Sequence, residues 1–387
     1  MRQVKQNYRN KQDNTGPGRI VHIALGIMMG LALIYFWEVG AADETAPAAS
    51  GAYLAYAYPV IFLWASYLLH IPIHETGHLV AGKMSGYGFV SIRMLSTVVV
   101  KQSGKLRLRR SSLPGTAGGC LMSPPAPVDG EFPYRFYYLG GSAASILAAC
   151  AAIVPAIFAE QILLRNFLIT FIAVGILIGA TNLIPMRVSG IDNDGHKTRT
   201  LGRSAASRRA LWLTLRVAAL STEGRRLRDM PPEWFVLPDW ADLSEGMVGA
   251  IANLHFCYLI DRMELTRAME YCHSILSRAG DMPELYKNEM RCELLFLEMV
   301  TWRRWEAIAF LYTEQLAGYI RSRGAMADKQ RILYAYAKLV SHDEAGAALA
   351  RAKFEKGCET HPYAGDAESE RELIALVDRL AYAPYSY

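Results

Sequence analysis

A chain of 387 residues has room for two domains, and 52% apolar content with a formal net charge of only +5 argues against nucleic-acid binding. The basic residues stand beside apolar runs, where membrane topology accounts for them. Six cysteines without a CxxC pair or framework spacing exclude a disulfide scaffold and read as reduced thiols.

Residues 1–19 form a polar tail carrying Arg2, Lys5, Arg9, Lys11 and Arg19. The apolar run 20–37 is long enough to cross a bilayer, which takes roughly 20 residues, and exceeds the h-region of a cleaved signal peptide, about 7–15 residues. A retained span is therefore expected there. A second span covers about 53–82 and contains Pro59 and Pro72, the latter a site for a kink. The basic stretch 83–133 follows. Within it Val90–Val100 reads as a strand, Gln102-Ser103-Gly104 as a turn, and Leu106–Arg109 as an alternating strand, giving an interfacial β-hairpin at about 88–110. Pro114 to Gly119 reads as loop. A third span is expected at about 136–158, opening on the small residues Gly140 to Ser145 that suit close helix packing in lipid. A fourth, 162–184, carries Arg165 near its start and ends in Asn182-Leu183-Ile184-Pro185, followed by a polar turn through Gly195.

The positive-inside rule puts the tail, the 83–133 stretch and the region after 196 in the cytoplasm, with 38–52 and 159–161 outside. The second and fourth spans then run in the same direction and end on the same membrane face. From 201 to 387 the chain reads as a soluble helical domain. Met230 to Pro238 forms a linker or irregular clamp, then stripes such as Met247, Ile251, Leu254 and Tyr258 recur with tetratricopeptide-like spacing. An unrelated helical bundle is the alternative. The expected architecture is an all-α membrane protein: a tail at 1–19, a transmembrane domain at 20–200 with about four helices and the hairpin, and the soluble domain at 201–387.

The chemistry concentrates at His74-Glu75-Thr76-Gly77-His78, an H-E-x-x-H pattern. Residues i and i+4 share a helix face, so the two imidazoles can bind one Zn²⁺, and Glu75 stands beside them as a general base for water. Ionisable groups at the end of a membrane helix mark function by default. A zinc site needs a third protein ligand. Asp192, Asp194 and His196 follow the fourth span; Gly195 behind Asp194 permits a sharp turn, and His196 reads as a surface residue. Asn288-Glu289 looks like the N-E pair of some soluble zinc peptidases, yet its setting reads as ordinary helical surface.

Taken together, HETGH at 74–78 and Asn182-Leu183-Ile184-Pro185 followed by Asp194-Gly195 resemble the site-2 proteases, the M50 intramembrane zinc metallopeptidases. The resemblance covers about residues 53–200. It implies His74, His78 and Asp194 as zinc ligands, Glu75 as catalytic base and Asn182 as a substrate-binding residue. The family's G-P-x-x-N element aligns with Gly141-Ser142-Ala143-Ala144-Ser145, with serines where Pro and Asn are usual. The implied activity is cleavage of a membrane-anchored, transmembrane or signal-peptide-like protein. The charge pattern places it near the cytoplasmic face of what is expected to be a bacterial inner membrane, with both termini cytoplasmic. The helical domain, outside the resemblance, is expected to meet a cytosolic protein partner. A catalytically silent scaffold is the competing reading, against which stands the intact Glu75.

Overall fold

The computed structural model describes residues 51–110, 117–188, 191–202, 204–237, 241–361 and 363–382. The tail and the first expected span, 20–37, lie outside the described residues. The chain divides into two compact units, the first drawn from 1–87, 117–120 and 133–202, the second from 88–116, 121–132 and 203–387.

In the first unit three helices are long and apolar enough to cross a membrane: α1 (Gly51–Met84, the apolar part being Ala57–Met84), α2 (Tyr134–Phe158) and α3 (Ile162–Leu183). Helix α1 runs unbroken through Pro59 and Pro72. Large apolar side chains such as Trp64, Leu147, Ile157 and Ile176 remain exposed, as a lipid-facing surface requires, while the seams between helices use small residues. Gly77 of α1 and Gly140 of α2 approach so closely that a Cβ on either would fall on the other's backbone. Contacts between α1 and α3 rise in step along both chains: Phe62 meets Phe167 edge-on at 5.6 Å, and His70 stacks on Phe171 at 4.2 Å. The two helices are parallel, as the span count demands.

After α3 the backbone folds into a two-stranded ribbon, β5 (Arg187–Val188) against β6 (Ile191–Asp192), and enters α4 (Asp194–Leu201). The predicted polar turn at Asp194-Gly195 is thus a helix start. Asn193 caps it, its side-chain oxygen accepting from His196 N. Gly195 is required for another reason than a sharp turn: a Cβ there would strike Leu183 O at the end of α3.

The second unit contains most of a small antiparallel sheet in the order β3-β2-β1-β4, where β1 is Gly88–Met94, β2 Thr97–Gln102, β3 Lys105–Arg110 and β4 Gly118–Ser123. This corrects the expected hairpin. The run Val90–Val100 is two strands, paired from Ser91 with Val100 to Met94 with Thr97, because Leu95 takes a left-handed conformation (φ 54°) and reverses the chain. A leucine there gives no sequence warning, since turns are ordinarily flagged by Gly, Asn or Asp. Gly118 and Gly119, read as loop, open strand β4, which begins in the first unit and ends in the second.

The remaining helices are α5 (Ala205–Thr222), α6 (Gly246–Asp261), α7 (Leu265–Ser277), α8 (Glu284–Val300), α9 (Trp305–Leu311), α10 (Glu314–Ser322), α11 (Ala327–Tyr336), α12 (Glu344–Thr360) and α13 (Ala364–Tyr382). Their apolar stripes meet in one core including Phe256, Met269, Cys272, Met290, Leu294 and Ile308. The clamp expected from Met230 holds one 3-10 turn, Pro232–Trp234, directly after another at Leu227–Asp229, and Met230 and Phe235 enter this core. Glu289, expected on the surface, is instead half-buried, held by Lys329 Nζ at 2.5 Å and by the Tyr319 hydroxyl. All six cysteines are free.

Candidate metal centre

Helix α1 presents His70, His74 and His78 at successive i+4 positions, one face of one helix. The last two converge. Their rings are nearly perpendicular (82°), with Nε2 atoms 3.2 Å apart. Asp194, the first residue of α4, brings Oδ2 to 3.4 Å from His74 Nε2 and 3.2 Å from His78 Nε2. His74, Glu75 and His78 are each at most 9% exposed, and the Asp194 side chain 14%.

The far side of each imidazole is anchored. His78 Nδ1 donates to the carbonyl of Tyr137 at 2.8 Å, which leaves Nε2 of the neutral ring as a lone pair facing inward. His74 Nδ1 lies 3.3 Å from Ser145 Oγ, so the same tautomer is available to it. Both partners sit on α2. Two imidazole lone pairs and a carboxylate oxygen thus form a triangle with 3.2–3.4 Å edges. With a lone pair on each Nε2, such an arrangement is repulsive unless a cation sits inside. Ligand atoms around a tetrahedral ion at about 2.0–2.1 Å stand about 3.3 Å apart, so the residues present fit a small cation. Among the described residues, this is the only group of three or more His, Cys or carboxylate side chains placed to share an ion.

Burial alone would raise the Asp194 carboxyl. When no ion is present and the Nε2 atoms carry protons instead, their hydrogen bonds to the carboxylate, with the ammonium of Lys197 at 4.0 Å from Oδ1, outweigh it and hold the group well below the usual carboxylate range. Asp194 is therefore an anionic ligand at any ordinary pH.

Asn193 positions that ligand, a role its neighbours in sequence do not announce. Its side-chain nitrogen donates to Thr181 O and Ile184 O, both at 2.7 Å, and its oxygen accepts from Met186 N at 3.0 Å and His196 N at 2.9 Å. One amide thereby closes the frayed end of α3 and caps α4. Between Pro185 and Asp194 the β5–β6 ribbon returns the chain to Met186, whose carbonyl accepts from Asn193 N at 3.1 Å.

Glycines clear the space around the centre. A Cβ at Gly141 would fall against Nε2 of both histidines, and one at Gly118 would fall on the Glu75 carboxylate. Strand β4 thus begins beside Glu75, and the Tyr137 hydroxyl donates to Cys120 O at 2.5 Å. Burial, with the Glu75 charge nearby, pushes the Cys120 thiol up to about 12, so it stays protonated.

The other expected site residues fall as follows. Asn182 is half-buried and donates to Ile178 O of its own helix at 3.0 Å. Asp192 lies in β6, its side chain outside the described set. His196 is half-buried on α4, one helical residue beyond Gly195. His70 is fully buried but turned to α3, where Nε2 donates to Phe171 O at 3.1 Å. The sequence signalled His74, Glu75, His78 and Asp194; it gave no sign of Tyr137, whose contribution is a backbone carbonyl. No family model matches this chain, and neither does any curated protein or solved structure.

Proposed function

We propose that the protein is an intramembrane zinc metalloprotease of the site-2 protease type. The observation that carries this reading is the triangle of His74, His78 and Asp194 ligand atoms at the end of two parallel apolar helices, with the buried Glu75 next in sequence to His74. Two imidazoles and a carboxylate suit Zn²⁺ better than the oxygen-loving Ca²⁺ or Mg²⁺. When bound, zinc would supply a Lewis acid that polarises the scissile carbonyl and acidifies water. Ser145 and the Tyr137 carbonyl hold the imidazoles in register for it. Glu75 takes the proton from the attacking water and returns it to the leaving amine.

The substrate is a membrane-anchored or transmembrane protein cut near the cytoplasmic face, in a bacterial inner membrane. A peptide bond inside a helix has its carbonyl engaged, so the substrate unwinds before it is cut. The residues from Gly118 to Cys120 lie in the same unit as Glu75, and Gly118 stands against its carboxylate, so this extended backbone would lie alongside the unwound substrate.

The test is the full chain in detergent or nanodiscs with a single-span reporter protein. Wild type should bind one zinc ion and cleave the reporter; Glu75→Gln should keep the zinc and lose cleavage. A Glu75→Gln variant that still cleaves, or a wild type that binds zinc and leaves every membrane reporter intact, would favour the scaffold reading.

A further inference from the structure

Within the second unit, the helices from α5 to α13 enclose a cavity of about 450 Å³. That is in the range of small-ligand sites, about 300–1,000 Å³. One wall is apolar, with Val217, Leu254 and Leu373. The other carries six carboxylates: Asp261, Glu289, Glu293, Asp328, Asp366 and Glu370. Four cations answer them among the described residues, one of them Arg323, 3.9 Å from Glu289. Arg226 pairs with Asp261, Lys329 with Glu289 and Asp328, and Arg331 with Glu293 and Glu370. Asp366 has no Lys or Arg partner among the described residues. Burial pushes its carboxyl up and the Asp261 and Asp328 charges push the same way, against the opposing pull of His361 and the Ser221 hydroxyl, so that a cationic guest would favour its charged form.

Several buried atoms of the lining lack partners, among them one on Arg331 and one on Asn253. Arg331, only 1% exposed, lies over the Phe296 ring and commits Nε and Nη2 to Glu370 and Glu293. Its Nη1 is left with a proton to donate and no acceptor. Asn253 Oδ1 is left with no donor. Buried groups of this kind are uncommon in folded proteins and ask for a partner. The missing guest must therefore offer positive charge, an acceptor and an N–H together. A metal ion does not meet this description, and the cavity's carboxylates are too dispersed to share one.

We propose that the cavity binds a basic amino acid, free or as a residue within a peptide. Its cationic head lies toward Asp366, its carboxylate or carbonyl oxygen on Arg331 Nη1, its N–H on Asn253 Oδ1, and its methylene stem along Val217 and Leu254. This site is independent of the metal centre.

Calorimetric titration of the full chain in detergent tests it with three probes: L-arginine, agmatine (which lacks the carboxylate) and acetyl-Ala-Arg-Ala-amide. Saturable binding of L-arginine or the capped peptide is expected, and the tighter of the two identifies the source. Agmatine should bind roughly tenfold or more weakly, the loss that follows one missing hydrogen bond to a charged group. Asp366→Asn and Asn253→Leu should each abolish binding while keeping the wild-type melting temperature. Replacing Arg331 would break its ion pairs and is avoided for that reason. Absence of saturable binding by all three probes overturns the proposal, as does undiminished binding to both folded variants.

Discussion

At the scale of single residues, the candidate metal centre depends as much on what is missing as on what is present. Gly141 leaves open the space in front of both Nε2 atoms. Gly141→Ala should therefore bind little or no metal, measured by elemental analysis of the purified protein. Ser145→Ala removes one imidazole's anchor and leaves the ligands intact; metal affinity should fall about 10- to 100-fold, read by competition with a chelator. Asp194 carries a pH signature. Its folded value is depressed, so its stabilisation is fully present above the ordinary unfolded carboxylate value, about 3.9, and fades as pH falls toward the lower folded value. In metal-stripped protein, the melting-temperature gap between wild type and Asp194→Asn should hold from pH 7 to about pH 5 and narrow below about pH 4. The H-E-x-x-H was legible because helix geometry alone puts i and i+4 together. Ser145 and Tyr137 were not, since they reach the histidines from 71 and 59 residues away.

Among elements, the decisive joint is the one between α3 and α4. Asn193 holds both ends with four hydrogen bonds, so Asn193→Ala removes a cap and uncovers the carbonyls of Thr181 in α3 and of Ile184 just past its end. Loss of the cap alone costs about 1 kcal/mol. Metal affinity should drop as well, because Asp194 loses its fixed entry into α4; equal metal content and thermal stability in this variant would show that the joint is held elsewhere. The same joint explains why the sequence misled. Ser189 to Gly195 has turn composition, and a helix of eight residues leaves only a weak periodic trace. The sheet shows the converse error. Val90–Val100 looks like one strand because its reversal rests on Leu95, a residue that avoids left-handed backbone unless the surrounding structure imposes it. The membrane helices were legible to within two residues at the described ends of α2 and α3, because a run of apolar side chains in lipid has almost no alternative to helix.

For the molecule as a whole, the C-terminal helices are organised around buried charge as well as apolar packing. Arg331 bridges Glu293 on α8 and Glu370 on α13. Arg331→Met strands two buried carboxylates and should destabilise this unit by about 3–5 kcal/mol in chemical denaturation. Replacing Arg331, Glu293 and Glu370 together by apolar residues should recover most of that loss, since no uncompensated charge then remains. Composition and periodicity determined by themselves that this chain has membrane-length apolar helices, a histidine pair on one of them spaced to share an ion and a helical domain beyond. Those features follow from local rules, in which hydrophobicity and helical repeat act within a few turns of chain. Only the tertiary structure decided that Asp194 completes the triangle, that α1 and α3 are parallel neighbours and that six carboxylates surround one cavity. Such meetings are set by the packing of segments far apart in sequence, where the choice of partner rests on the shape of the whole and no local pattern records it.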